Sequence, residues 1–255
     1  MKIRKIAWLL ALAALSGPAF GQGTITDGAG SYAISASHFD ASPAANFTGV
    51  GTGDQIFEAG WWFRIEGDAS ESFFPAPDTQ NYAANTATLT WANVGARGFS
   101  ATKTHVLSAA GGNGEVATTM LVTNTGATPI TLHLFQATDW DVNGSAGTDT
   151  AVLVDPTYIR VNDTTTGQAE SRGPNAVAAI ARAWSSAGTT DVPGLLSDTA
   201  VSNFDGSGFP FASGDITVGL QWTFTLAPGA SATAQLFSAA NRTATPVQLQ
   251  SFSID

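Results

Sequence analysis

Hydrophobic and polar residues alternate along much of the chain, and this period of two predicts β-strands. The clearest case is DITVGLQWTFTL, residues 215–226, in which apolar side chains occupy every second position. A strand of this kind buries one face and exposes the other to water. The turn residues Pro228 and Gly229 follow, and ASATAQLF then returns the chain. The pattern predicts a β-hairpin.

The same alternation recurs in many short segments that are separated by turn residues. EVATTMLVTN, TGATP and ITLHLFQA predict a second hairpin, and further strands are predicted at SYAISAS, QIFEAGWWFRIE, TATLTWA, FSATKTHVL, AVLV and TYIRVN. Many short antiparallel strands with Gly, Asn and Pro turns are typical of a β-sandwich. We therefore predict an all-β fold, a large antiparallel β-sandwich that forms a single domain over residues 22–255.

One segment departs from the period of two. NAVAAIARAW, residues 175–184, begins at Asn175, a candidate N-cap, and then places four side chains at helical spacing: Val177, Ile180, Ala181 and Trp184. Such spacing behind a capping residue is a helix signal. The sequence therefore predicts one short helix near residues 176–186.

The first residues have the features of a secretory signal peptide. Lys2, Arg4 and Lys5 precede an apolar run, IAWLLALAAL, and the small-residue site AFG. This arrangement predicts a signal peptide over residues 1–21, and hence a bacterial protein secreted to the periplasm or the extracellular space. The run is shorter than the ~20 residues that a membrane-spanning helix needs, so no membrane span is predicted.

The charge and the cysteine content of the chain limit the kinds of molecule that it is expected to bind. The formal net charge is −10, and the chain contains no cysteine. A surface this acidic repels phosphate backbones, which argues against nucleic acid as a partner and favours divalent cations or neutral ligands. Without cysteine there are no disulfides and no thiolate metal site.

Two predicted hairpins carry a resemblance to a known class of domain. LVTNTGATPITL and LAPGASATAQL resemble the strand–turn–strand patterns of secreted bacterial immunoglobulin-like domains, including the cell-adhesion-related type. The resemblance covers about a tenth of the chain. It implies a β-sandwich fold and a role in adhesion or in binding a matrix component.

The stretch DWDVNGSAGTDT, residues 139–150, matches the opening of a calcium loop. Its oxygen-bearing residues alternate and then reach a glycine, which is how a short loop surrounds Ca²⁺ with six to eight oxygens. Thr150 stands where an EF-hand has glutamate, and a preceding aspartate is the candidate substitute. The predicted calcium ligands are Asp139, Asp141, Asn143, Ser145 and Asp149. The alternative is a turn whose carboxylates only cap backbone amides.

A predicted strand also offers a candidate ligand surface. In QIFEAGWWFRIE, Phe57, Ala59, Trp61, Phe63 and Ile65 share one side, which we assign to the core. The other side carries Trp62, Arg64 and Glu66, and Trp140 could extend it. An aromatic plate beside charged groups is suited to a sugar ring. The alternative is that Trp62 packs under a loop and Arg64 pairs with a glutamate.

Three functions remain open from the sequence. The first is a secreted, calcium-stabilised binding or adhesion protein with a surface polysaccharide or matrix ligand. The second is a carbohydrate-active enzyme of lyase or epimerase type, in which His105 or His133 acts with a carboxylate. The third is a structural surface or matrix protein. A binding protein should expose a row of aromatic side chains, whereas an enzyme should have a cleft with converging titratable groups.

Overall fold

The computed structural model describes residues 23–34, 46–163 and 167–241. Strands β1 to β9 are Gly23–Asp27, Gly30–Ile34, Phe47–Thr48, Ile56–Ile65, Ser72–Phe73, Thr79–Ala83, Thr86–Trp91, Phe99–Ala110 and Asn113–Asn124. Strands β10 to β17 are Ile130–Trp140, Asp149–Asp155, Tyr158–Asp163, Gly167–Arg172, Ala178–Ala183, Phe211–Gly214, Ile216–Leu226 and Ser231–Ala240. Helix α1 is Val192–Leu196. The predicted signal peptide lies outside the described residues.

The strands form two large sheets and one small sheet. The nine-stranded sheet has the order β15-β11-β12-β13-β17-β9-β8-β7-β6, the five-stranded sheet has the order β14-β16-β10-β4-β5, and β1-β2-β3 form the third. Neighbouring strands pair antiparallel throughout, for example β10 with β16 and β8 with β9. The predicted all-β antiparallel sandwich is therefore confirmed. No helix in the described part of the chain combines the length and apolarity needed to cross a bilayer.

The core lies between the inner faces of the two large sheets. One hydrophobic cluster takes side chains from both, with Trp61 and Trp222 of the five-stranded sheet and Leu89, Phe99 and Val122 of the nine-stranded sheet. The rings of Trp61 and Trp222 stack with centroids 5.3 Å apart. Burial of each large apolar side chain contributes about 1.5–3 kcal/mol. The alternation predicted for β4 and β16 therefore supplies the inner face of the five-stranded sheet.

The predicted helix near 176–186 is wrong, because residues 178–183 form strand β14. This strand pairs with the edge of β16, with Ala178 opposite Gln221 and Ala183 opposite Ile216. Ala179 and Ala181 of β14 face one apolar cluster, and Ala178 and Ile180 face the other. Both faces are therefore apolar, and the sequence shows no alternation of hydrophobic and polar residues. Helix α1 lies further along the chain. Its N-cap, Asp191, accepts a hydrogen bond from the Gly194 backbone N–H at 2.6 Å.

The outer face of the five-stranded sheet is covered, although its sequence predicts a wet face. Residues 185–210, here called the covering segment, connect β14 to β15 across this face. Its apolar side chains Val192, Leu196 and Phe204 pack on Phe135 and Ile180 in a second buried cluster. Polar residues of the sheet are buried beneath it as well. The covering segment and the sheet end together enclose the cleft described next.

Candidate functional site

Several carboxylates gather at one end of the five-stranded sheet. Asp139 lies near the end of β10, where the ladder sets it opposite Glu58 of β4 and Thr217 of β16. Directly paired residues project from the same face of a sheet, so Asp139 and Glu58 point outward together. Asp141 follows β10 and Asp215 precedes β16. Strand register thus brings together residues from distant parts of the sequence.

Asp139, Asp141 and Asp215 form the tightest part of this group, and we call them the aspartate triad. One carboxylate oxygen from each lies within 4.8 Å of the other two. Asp139 is only 1% exposed. Its Oδ1 atom, like Oδ1 of Asp215, is buried without a hydrogen-bond partner among the described residues. Burial of an unpaired ionised carboxylate is strongly unfavourable.

The electrostatics of the cleft follow from this crowding. Burial, and then the neighbouring charges of Asp215 and Asp141, raise the pKa of Asp139 to about 9. Burial, and then Asp215, raise the pKa of Asp141 to about 6. The pKa of Glu58 rises to about 7, because its carboxyl is buried and Asp191 lies near. The cleft therefore disfavours full ionisation of its own carboxylates.

Two adjoining cavities open beside these carboxylates. The larger, about 370 Å³, is lined by Phe57, Glu58, Trp184 and Asp191 together with serine and glycine residues of the covering segment. We call it the larger cavity. The smaller, about 120 Å³, is lined by the aspartate triad with Phe57, Ala146 and Trp184. The two cavities share the aromatic pair Phe57 and Trp184, so they lie side by side, and we call them together the cleft.

A β-bulge places one of the shared aromatic rings. Asp139 pairs with Glu58 and Trp140 pairs with Ile56, which leaves Phe57 as an extra residue in β4. A bulge re-aims the side chain at that point, and bulges are frequent beside functional sites. Phe57 therefore turns out of the core position assigned to it from the alternation. Its ring contacts Trp184 edge to face, with centroids 6.2 Å apart, and both side chains are half-buried.

The predicted ligand surface is not formed as an exposed plate. Trp62 is 1% exposed, because the covering segment lies over it and Ser197 Oγ accepts its indole N–H at 3.1 Å. Arg64 is 3% exposed and donates to Glu71 Oε1 at 2.8 Å. Both side chains therefore match the structural alternative, in which Trp62 packs under a loop and Arg64 pairs with a glutamate.

The other two residues of that predicted surface also lie outside the cleft. Trp140 is fully buried and its indole N–H donates to Ser171 Oγ at 3.0 Å. It faces the core because the alternation of β10 gives the outer face to Asp139. Glu66 is exposed and lies 2.8 Å from His133 Nε2. Six residues of extended strand, about 20 Å, separate His133 from Asp139.

The structure divides the predicted calcium loop. Asp139 and Asp141 converge, but Asn143 turns away, and its Oδ1 accepts from the Thr52 backbone N–H at 3.0 Å. Ser145 Oγ lies 3.2 Å from Thr148 Oγ1. Neither residue belongs to the group of converging carboxylates.

Asp149, the fifth predicted ligand, occupies a separate position. It begins β11 opposite Asp163 and is fully buried. Burial, and then the charges of Asp163 and Asp141, raise its pKa to about 8. Asp215, which the loop pattern does not include, takes the third place beside Asp139 and Asp141.

The second candidate base is also absent from the cleft. His105 lies in the core, where its Nδ1 atom is 2.8 Å from Thr118 Oγ1. Burial, and then the nearby Lys103, lower its pKa well below the ordinary value. The titratable groups that line the cleft are carboxylates.

Comparison with known proteins identifies the fold. No family model matches the chain, and no curated protein is similar to it in sequence. A galactose mutarotase-like protein from Lactobacillus casei ATCC 334 is similar in structure, with a TM-score of 0.53 and 10% identity over 86% of this chain and 100% of that one. A protein from Escherichia coli K12, provisionally named an aldose 1-epimerase, has a TM-score of 0.51 and 10% identity, over 86% of this chain and 98% of that one. The chain therefore shares their β-sandwich fold.

Proposed function

We propose that this protein acts on carbohydrate and binds a sugar ring in the larger cavity. The observation that carries the proposal is the combination of about 370 Å³ of space with two aromatic rings and two carboxylates. Ligand pockets for small molecules span ~300–1,000 Å³. The C–H face of a sugar packs on an aromatic ring, while its hydroxyls donate to carboxylate oxygens.

The surrounding charge indicates which sugars fit. Phe57 and Trp184 provide the apolar wall, and Glu58 provides an acceptor, whereas Asp191 already accepts from the backbone N–H groups of Gly194 and Ser185. Uronic acids and sulfated sugars would be repelled, so the ligand is a neutral sugar or an amino sugar. The sandwich shared with a mutarotase-like protein supports a carbohydrate ligand.

Replacing Trp184 by alanine tests the aromatic wall. Since a well-placed ring contact contributes about 1.4 kcal/mol, we expect affinity for the sugar to fall about tenfold. Trp184→Phe keeps a ring at the same position and should retain most of the affinity. Calorimetric titration with a panel of neutral monosaccharides, amino sugars and uronic acids measures both variants. The cleft is not a sugar site if the unmodified protein binds none of them, or if Trp184→Ala binds as well as Trp184→Phe.

A second candidate function is aldose epimerisation at the anomeric carbon. The observation in its favour is Glu58, which lines the larger cavity beside Asp191 and has no hydrogen bond within the described ranges. In this reaction a base removes the proton of the anomeric hydroxyl and an acid protonates the ring oxygen. The ring then opens to the aldehyde, rotates and closes again. A carboxyl group can carry both proton transfers, so no redox partner is needed.

Glu58→Gln distinguishes catalysis from binding. Glutamine keeps the size and the acceptor oxygen but cannot exchange a proton, so we expect the rate of anomer interconversion to fall about 10²-fold or more, towards the rate in buffer. Proton NMR of freshly dissolved α-anomers follows the reaction. Asp155→Asn, an exposed change in the β11–β12 turn, is the control and should leave the rate unchanged. An unmodified protein that binds sugars without accelerating the interconversion would leave binding as the function.

Secretion and the polysaccharide or matrix ligand predicted from the sequence remain proposals. Residues 1–21 lie outside the described ranges, so the structure does not bear on the signal peptide. A cleft of this size would take one or two sugar units, such as the end of a polysaccharide chain, rather than an extended stretch of it. Binding assays with a polysaccharide and with short oligosaccharides of the same sugar distinguish recognition of a chain end from recognition of an extended chain.

A further inference from the structure

The aspartate triad has the separations of a cation site. Calcium lies 2.3–2.6 Å from its oxygen ligands, so two oxygens on opposite sides of the ion are about 5 Å apart. Oxygens of Asp139, Asp141 and Asp215 all lie within 4.8 Å of one another. One ion placed among them could contact all three carboxylates without a rearrangement of the strands that carry them.

A second observation points to a ligand at this place. Asp139 is 1% exposed, and its Oδ1 atom is buried without a hydrogen-bond partner in the described part of the chain. The side chain lines the smaller cavity, of about 120 Å³, with Asp141 and Asp215. A cavity of that volume has space for an ion and several waters, which Ca²⁺ uses to complete six to eight ligands.

Another buried carboxylate, that of Glu71, is satisfied without an ion. Glu71 is 6% exposed, forms a salt bridge with Arg64 at 2.8 Å and accepts from the Ser202 backbone N–H. Across the described residues, no arginine, lysine or histidine forms an ion pair with a member of the triad. A buried carboxyl group in a protein is paired with a cation, coordinates a metal or remains protonated. The triad lacks the first arrangement.

The chemistry of the donors selects the class of ion. Three carboxylates with no imidazole and no thiolate suit hard cations such as Ca²⁺, and do not suit zinc or copper. Magnesium holds its oxygens at 2.0–2.1 Å in a strict octahedron and retains most of its waters, so these separations fit it less well.

We propose that Asp139, Asp141 and Asp215 bind a calcium ion, with waters in the smaller cavity completing its coordination. This ligand set differs from the loop set predicted from the sequence, since Asp215 replaces Asn143, Ser145 and Asp149. The ion would hold the ends of β10 and β16 together at the mouth of the cleft. The site does not depend on a sugar, so it stands or falls separately from the proposed function.

Calcium alone, added to the metal-free full chain, provides the test. With a dissociation constant on the order of 0.1–1 mM, 10 mM calcium should raise the melting temperature by about 3–10 °C. Terbium gives a second readout, because Trp184 lines the same cavity and can sensitise its emission. Added calcium should displace the terbium and quench that emission. Magnesium at the same concentration should produce a smaller shift.

Substitutions assign the ligands. Asp215→Asn and Asp141→Asn should each abolish the calcium-dependent shift and the terbium emission, and both should fold, because each removes a repelling charge. Asp155→Asn, at an exposed turn, should behave as the unmodified protein. The proposal is overturned if calcium produces neither signal in the unmodified protein. It is also overturned if Asp149→Asn abolishes both signals while Asp215→Asn retains them, since the loop set would then hold the ion.

Discussion

Replacing Arg64 by methionine should lower the free energy of unfolding by about 3–5 kcal/mol, because the change leaves the Glu71 carboxylate buried without its cation. The Glu71 side chain is fully buried, and Arg64 Nη1 lies 2.8 Å from its Oε1. Arg64 also donates to the Ser202 carbonyl oxygen at 3.1 Å and to Asn203 Oδ1 at 2.8 Å. The arginine therefore ties β4 to the covering segment. Urea unfolding followed by circular dichroism gives the difference.

Two further variants test whether the unpaired Glu71 carboxylate causes the loss of stability. Arg97→Met removes a partly exposed pair with Asp68 and should cost less than about 1 kcal/mol. The double variant Arg64→Met with Glu71→Gln should be more stable than Arg64→Met, because glutamine carries no charge and still accepts from the Ser202 backbone N–H. Equal losses for Arg64→Met and Arg97→Met would contradict the interpretation of the buried pair.

Replacing Gly219 by leucine should detach the covering segment, lower the free energy of unfolding by about 4.5–9 kcal/mol and weaken sugar binding. A Cβ atom at Gly219 would lie 2.7 Å from the Phe204 ring and 3.0 Å from Val192 Cγ1, so no larger side chain fits beneath the segment. Release of the segment exposes Val192, Leu196 and Phe204, each of which contributes about 1.5–3 kcal/mol when buried. It also removes one wall of the larger cavity.

Limited proteolysis and calorimetry detect this change. The variant should be cleaved within residues 185–210 under conditions in which the unmodified protein resists, and it should bind sugar at least tenfold more weakly. Gly147→Leu is the control for stability, since a Cβ atom there has no neighbour within 4 Å. Resistance to cleavage and unchanged affinity in Gly219→Leu would mean that the covering segment does not form the wall of the site.

The fold could be predicted from the sequence because alternation is a local property. Within the described residues, each segment with a clear period of two forms a strand, from residues 31–34 of SYAISAS to ASATAQLF. Strand β14 was missed because alanine carries little information about which face is buried, and its pairing with β16 is a long-range contact. Phe57 was assigned to the core because a bulge arises from the pairing of two strands and cannot be detected in the sequence of one strand.

Two of the three proposed calcium ligands could be predicted from the sequence, and the third could not. Asp139 and Asp141 are two residues apart, so their alternation is visible locally. Asp215 joins them only because β10 and β16 are neighbours, with Trp140 opposite Ile216. Each strand was predicted, but a single sequence does not give their adjacency. The predicted ligand plate failed for the same reason, since nothing near Trp62 indicates that residues 185–210 lie over it.

The β-bulge in β4 affects the lining of the cleft but not the core of the sandwich. With Phe57 present, Ile56 fills the core while Glu58 and Phe57 serve the cavity. Deletion of Phe57 would let the ladder run straight and would remove one of the two rings of the aromatic wall, yet the inner face of the sandwich would remain intact. Deletion of this residue would thus alter the lining of both cavities without changing the order of the strands.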